Sequence, residues 1–585
     1  MPIVFWAWSL LVVPLVYRGV TWYRNIREAK RTGLPYVLTP IHELEVWAYV
    51  TNPLLRWCLA GYVLRGSGWP RWARFMIKDW TYEDRGRAHQ AYGKVFLVVS
   101  PAGLICYIDD PDTALTVCTR RKAFIKPPEK MKMLEPFGPN VVSTDGDLWK
   151  FHVRVTVPPL SDAVYRTVWA ETLYQSGQLA SRWAALPGGG NLRDGVYGLT
   201  VKVMSVAGFG QSSRQGEDCE DSGSLWPGHR LSLVQAVSLV VANLPLFLLL
   251  PAWLIQICAH ALYAAYTELD LYMDELLARE KAAMGCRGEK SDSTATMIKA
   301  RGNLLTAVIE SNNQQPKDTS TAGSDPGGRT RLTDLEVKGN VFMFLLAGYD
   351  TTANTILYSI IVLALNGPVQ DAVIAEIRRV YREAAAAGRS ELSYDEDLPK
   401  FRYLLAFMHE VMRVFPIVIP ITRQTITSQP LLVNDSKHTL PPQTLTIVNN
   451  TAIHHNPANW PHPHIIDPRR WLSTNPNTFD PTASLTEEQQ AELCSHGPIA
   501  SHRRGTFMTF NEGPRACLGR RFAQVEYVAF FARLLREHRV AIVDGLMDAA
   551  ELEQQVRLRG GGAPVTLVPP VEVQVRLWVD ETLCI

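Results

Sequence analysis

The stretch Phe510-Asn-Glu-Gly-Pro-Arg-Ala-Cys-Leu-Gly519 sets one cysteine in a turn built to present a thiolate to a large flat cofactor. A thiolate binds metal far better than a thiol, and it needs backbone N–H groups aimed at the sulfur and walls that exclude water and oxidants. Gly513 frees the backbone for a tight loop, Pro514 fixes one φ angle, and Gly519 lets the next segment approach a ring plane with no Cβ in the way. Arg515, two residues before the sulfur, can reach carboxylates at the edge of such a ring. The five fixed letters of F-x-x-G-x-R-x-C-x-G arise by chance in a chain this long with a probability on the order of 10⁻⁴.

This motif resembles the haem-binding signature of the cytochrome P450 family of haem-thiolate monooxygenases. The resemblance implies haem b as cofactor, with Cys517 as the axial iron ligand and Phe510, Gly513, Arg515 and Gly519 around it. It also implies a mainly α fold with a smaller β portion. The expected reaction is insertion of one oxygen atom from O2 into a small lipophilic substrate, with the thiolate pushing electron density toward O–O cleavage.

The 585 residues carry 59 Lys+Arg against 57 Asp+Glu, a balance that gives no reason to expect a nucleic-acid partner. Nine scattered cysteines without a C-x-x-C pair read as free thiols in a reducing compartment, and not as a disulfide frame or zinc site. Met1 to Tyr17 is free of charge, and Arg18, Arg24, Arg27, Lys30 and Arg31 follow it. A signal peptide would place its positive charges first, so residues 1–24 read as a single-pass anchor with the body of the protein on the cytoplasmic side. By family resemblance that membrane is the endoplasmic reticulum. Residues 25–89 read as a membrane-proximal, surface-lying connector, and 90–585 as one haem-thiolate domain.

Within that domain, Val95–Ser100 and Leu104–Ile108 read as a hairpin around Pro101-Ala-Gly103, and Asp110-Pro111-Asp112 as the cap of a short helix. Leu231 to Thr267 has no Asp, Glu, Lys or Arg. Pro245 and Pro251 interrupt it, and it reads as an apolar roof that the family resemblance implies touches membrane lipids, with core packing as the alternative. Residues 284–330 and a smaller stretch at 473–501 read as polar insertions, the first of them flexible. Thr333-Asp-Leu-Glu336 is a capping box opening a helix that runs to Asn366. At its middle, Ala347-Gly-Tyr-Asp-Thr-Thr352 places an acid and an alcohol in apolar surroundings, where both need hydrogen bonds. Gly348 weakens the helix there, and the Thr351 hydroxyl can bond back to it.

The resemblance makes this middle the oxygen-binding groove, with Asp350 and Thr351 as the catalytic acid and alcohol. It makes Glu410, Arg413 and Arg470 a buried triad behind the haem loop, carried by Glu410-Val-Met-Arg413 and Pro468-Arg-Arg-Trp471. The family's helical tryptophan and nearby base that touch the haem carboxylates fall at Trp149 and at His152 or Arg154, because the usual basic position is Val153. Arg423 is a further carboxylate partner. Ile417-Val-Ile-Pro420 reads as a strand edge beside the haem. Ile417, Val418 and Ala347 are candidates for the substrate pocket, as is Thr566 in a C-terminal hairpin over Val565–Pro570 and Val571–Trp578. His454 and His455 read as structural residues of a loop.

No Gly-rich nucleotide-binding βαβ unit is evident, so electrons are expected from a separate partner, which the family resemblance implies is an NADPH-cytochrome P450 reductase. Two other readings compete: a haem-thiolate isomerase or dehydratase that rearranges a peroxide, and a non-catalytic haem sensor. The Asp350–Thr351 pair disfavours the first. The oxygen groove and apolar entrance would be unexplained in the second.

Overall fold

A computed structural model describes residues 2–186, 189–210, 228–285, 303–313, 331–482, 499–543, 548–562 and 566–579. Helices dominate, and the axis of the molecule is the 32-residue helix Asp334–Leu365. Its start is the expected capping box: the Thr333 hydroxyl accepts from the Glu336 N–H, and the Glu336 carboxylate accepts from the Thr333 N–H at 2.8 Å. Apolar side chains cover nearly every face of this helix, so it is stable only inside the core. Helix Leu192–Phe209 crosses it closely. A Cβ on Gly348 would stand 2.9 Å from Met204 Sδ, so this glycine serves close packing as well as local pliancy.

Beside the helices lies a six-stranded mixed sheet. Val95–Ser100 and Gly103–Ile108 form its antiparallel hairpin, in register from Val95 opposite Ile108 to Ser100 opposite Gly103. The Asp110 carboxylate caps helix Pro111–Thr119 by accepting from the Thr113 N–H. Leu445–Asn449 continues the sheet parallel to Gly103–Ile108, and Pro420–Thr425 pairs with it antiparallel. The strand after Phe415-Pro416 therefore begins at Pro420, three residues later than the sequence suggested.

Three further expectations are corrected. The stretch read as a connector is integrated into the fold. Tyr36–Leu38 pairs parallel with Leu97–Val99, and Val46–Leu64 forms a helix in spite of Pro53. The C-terminal hairpin does not form: Leu567–Val568 pairs with Gly561–Gly562, whereas Gln574–Val579 pairs with His538–Ile542. Inside the stretch read as a flexible insertion, Leu304–Asn313 is helical; residues 286–302 and 314–330, like 483–498 of the second insertion, lie outside the described residues. The apolar roof is broken as its prolines require, into helices Leu233–Ala242, Leu244–Leu249 and Ala252–Cys258 ahead of His260–Gly285.

Candidate active site

Cys517 sits at the end of the turn predicted from its sequence. Its N–H donates to the Phe510 carbonyl at 2.8 Å, and Gly513 adopts φ +72°. That positive φ is a region only glycine enters without strain. The side chain is exposed by area, yet protein surrounds it closely enough that burial pushes its thiol pKa up, against backbone N–H groups of Gly519 and Arg520 that favour the anion.

Helix Arg520–Leu534 begins three residues later and packs on the central helix, where the Tyr527 hydroxyl meets Ser359 Oγ at 2.7 Å. Between Glu336 and Leu363 of the central helix, every residue is buried except Phe344, Ala347, Gly348 and Thr351. Their spacing of i, i+3, i+4 and i+7 is one helix face. This face opens on interior space, and it carries the Thr351 alcohol, whose hydroxyl donates to the Ala347 carbonyl at 2.6 Å.

Three buried cations converge near the cysteine turn. Arg515 donates to the carbonyls of Val141 at 3.3 Å and Thr144 at 2.8 Å, pairs with Asp145 at 2.9 Å, and lies 4.1 Å over the Trp149 ring. Lys126 donates to the Val142 carbonyl at 2.7 Å. Arg423 is 4 % exposed, and its Nη2 has no partner among the described residues. Burial lowers all three, Arg515 to about 10 and Lys126 well below its usual value, and the charges of Arg515 and Arg423 push Lys126 further the same way. Buried like charges with an orphaned donor call for anions. The two carboxylates of haem, with iron at Cys517, answer that need, so the residues present fit the cofactor.

Two of the expected carboxylate partners are placed elsewhere. His152 is fully buried with Nδ1 2.9 Å from Asn340 Nδ2, turned toward the central helix, and Arg154 is exposed on the helix surface. Lys126, which sequence reading missed, holds the interior position instead. Its only local sign is a lysine between a short strand and Pro127-Pro128.

The triad is assembled as the resemblance implied. Glu410 Oε2 accepts from Arg413 Nε at 2.9 Å and Trp471 Nε1 at 3.0 Å. Its Oε1 accepts from Arg413 Nη2 at 2.8 Å, Arg470 Nε at 3.1 Å and the Asp467 N–H at 3.1 Å. Burial would raise the Glu410 carboxyl, but Arg413 and Arg470 outweigh it and hold it below its usual range. His454 is structural: burial lowers its pKa to about 3, and Nε2 accepts from the Met508 N–H at 2.9 Å.

Asp350 turns inward and not toward solvent, with only 5 % of its surface exposed. Burial raises its carboxyl pKa against hydrogen bonds from Thr566, Tyr197 and Asn354. Behind the helix, burial pushes the Glu526 carboxyl up to about 8, and neither of its oxygens has a hydrogen-bond partner among the described residues. Of the pocket candidates, Ala347 and Val418 keep exposed surface, whereas Ile417 and Thr566 are buried and form a second layer of wall.

The comparisons agree with this geometry. The cytochrome P450 family model matches residues 75–560. Cytochrome P450 monooxygenase ORF6 of Penicillium roqueforti is 36% identical, over 99% of this chain and 98% of its own length. Cytochrome P450 monooxygenase prx9 of Penicillium rubens is 37% identical over the same shares. Among solved structures, the haem domain of cytochrome P450DA superposes with a TM-score of 0.63 at 18% identity, covering 87% of this chain and 95% of that one. With the cysteine turn and buried triad in place, a family model matching most of its length, and near full-length similarity to named members, the chain belongs to the cytochrome P450 family.

Proposed function

We propose that this P450 monooxygenase uses haem b to insert one atom of O2 into a small lipophilic organic substrate of secondary metabolism, the other atom leaving as water. NADPH supplies the two electrons through a separate NADPH-cytochrome P450 reductase. The observation that carries the reading is the uncovered face Phe344, Ala347, Gly348 and Thr351 on an otherwise buried central helix, in a chain that also carries the Cys517 turn with buried cations beside it. When bound, haem supplies the oxygen chemistry. The chain's own residues do the rest. Cys517 ligates the iron, Arg515, Lys126 and Arg423 hold the carboxylates, and apolar walls exclude water. The Thr351 hydroxyl can both accept and donate, so it suits delivery of a proton to oxygen, with Asp350 as the acid behind it.

The protein is proposed to sit on the cytosolic face of the endoplasmic reticulum, held by its N-terminal helix. Among the described residues no single helix is long and apolar enough to cross a membrane. The anchor rests instead on the charge-free Met1–Tyr17 run, the basic residues behind it, and exposed apolar side chains on helix Pro2–Thr32, among them Val13, Leu15, Val16 and Val20.

The test of the reaction is paired stoichiometry of NADPH, hydrogen peroxide and product in wild type and Thr351→Ala. Product per NADPH should fall and peroxide rise in the variant. Turnover without NADPH or O2 would establish the isomerase or dehydratase reading instead.

A further inference from the structure

The Asp350 carboxyl is gripped by three side chains, two of them from distant parts of the chain. Thr566 donates its hydroxyl to Oδ2 at 2.5 Å, Tyr197 donates to Oδ1 at 2.9 Å, and Asn354 Nδ2 lies 3.2 Å from Oδ1. Asn354 links the other two, its Nδ2 standing 2.8 Å from the Tyr197 oxygen and 3.1 Å from Thr566 Oγ1. Thr351 meanwhile donates to the Ala347 carbonyl. These donors hold both oxygens in one orientation, with no hydrogen bond to Thr351 among the described residues, so the carboxyl must turn and give up one of them to serve Thr351.

The three contacts differ in how they are mounted. Asn354 is one turn along the same helix. Tyr197 belongs to the closely crossing helix Leu192–Phe209 and packs edge-on against Tyr349, ring centroids 4.9 Å apart, and Tyr349 in turn bonds Ser238 at 2.7 Å. Thr566 directly precedes the two-residue strand Leu567–Val568. The next residue, Leu567, donates its N–H to the Ile417 carbonyl at 2.8 Å, directly beside partly buried Val418. Movement of the Ile417–Val418 wall is therefore carried to Thr566 by one backbone hydrogen bond.

We propose that Thr566, with Tyr197 and Asn354, latches the Asp350 carboxyl, and that a ligand pressing on the Ile417–Val418 wall releases it through Thr566. All three are positioning residues, and the proposal rests on the reading of Asp350 as the proton donor. The other groups facing Asp350 are Tyr349 on its own helix and Arg193, whose charge favours the anion and whose Nη2 donates to the Pro569 carbonyl at 3.0 Å. In the latched state the acid is fixed and idle. Release frees an oxygen to meet Thr351 only when the pocket is filled, which protects O2 reduction from running without substrate.

The test is infrared titration of the haem-loaded full chain in wild type, Asp350→Asn, Thr566→Val and Thr566→Ser. The C=O band that Asp350→Asn removes belongs to protonated Asp350. In Thr566→Val the band should rise in frequency, and its titration midpoint should rise by about one to two pH units, the equivalent of one hydrogen bond to a charged group. Thr566→Ser should behave as wild type. Binding of dodecylimidazole, verified by its haem absorption change, should move the wild-type band toward the Thr566→Val position. An unchanged midpoint in Thr566→Val overturns the latch, and a band unmoved by bound dodecylimidazole overturns its release. A shifted midpoint with unshifted pH dependence of coupling would leave the latch standing and remove Asp350 from proton delivery.

Discussion

Replacing Glu410 by Gln keeps the volume of the side chain and removes the one anion shared by Arg413 and Arg470. All three side chains are fully buried, so the two guanidinium groups would be left facing an amide in a dry interior. Five hydrogen bonds converge on the carboxylate, four of them from side chains and one from the Asp467 N–H. Breaking a buried pair from one side costs roughly 3–5 kcal/mol. Arg413 also donates to the carbonyls of His454, Pro463 and Ile465, and Arg470 to those of His462 and Phe479, which partly solvate the stranded charges. The lower half of that range is therefore expected, still a large share of the about 5–15 kcal/mol that stabilises a typical fold. Urea unfolding followed by both circular dichroism and haem absorbance should show a much lower midpoint. Arg469→Met is the control. Its 2.6 Å pair with Asp467 is partly solvated, and its loss should cost under about 1 kcal/mol. A Glu410→Gln midpoint equal to that of Arg469→Met would refute the triad as a structural keystone.

Other outcomes follow from buried groups elsewhere. Because burial raises the Glu526 carboxyl to about 8, the stability gained by keeping it neutral is fully present below about pH 4.5 and is lost as pH rises through about 8, a change of at most about 5 kcal/mol. Glu526→Gln should flatten thermal stability over that window; a profile as steep as wild type would exclude Glu526 as its source. A Cβ at Gly339 would stand 2.5 Å from the carbonyl oxygens of Gly138 and Pro139, both backbone, so Gly339→Ala should lose about 1–3 kcal/mol in the same unfolding assay. Lys126→Met relieves repulsion from Arg515 and Arg423 when no haem is present and removes a carboxylate partner when it is. The apoprotein should be no less stable, whereas haem transfer to an acceptor apoprotein should quicken by about 10- to 100-fold, the loss of one charged hydrogen bond. Equal transfer rates would take Lys126 out of the carboxylate site.

The features legible in the sequence are those whose partners lie within a few residues. The capping box at Thr333 and Glu336, the Asp110 cap, the hairpin around Pro101-Ala-Gly103 and the turn before Cys517 each satisfy their own backbone groups locally, and spacing alone reveals them. The triad of Glu410, Arg413 and Arg470 is legible through the family resemblance, since E-x-x-R alone occurs on many solvated helices. What stayed hidden depends on distant chain. Helix Val46–Leu64 contains Pro53, and Glu45 before it makes no side-chain cap, so its usual punctuation misleads. Leu567–Val568 and Gln574–Val579 are neighbours in sequence that find different sheets, a choice set by Gly561–Gly562 and His538–Ile542. Lys126 and the inward turn of Asp350 are products of packing, in which Arg515, Arg423, Tyr197 and Thr566 converge from four regions. His152 and Arg154 were nominated because a base was expected near Trp149, but helix geometry sends one to the core and the other to solvent.

The central claim is that Cys517 is the thiolate ligand of haem iron. The reduced carbon-monoxide difference spectrum of the full chain tests it most directly. Wild type should show the strongly red-shifted band of a thiolate-ligated haem, and Cys517→Ser should lose that band; its persistence in the variant would contradict the ligand assignment on which the whole site is built.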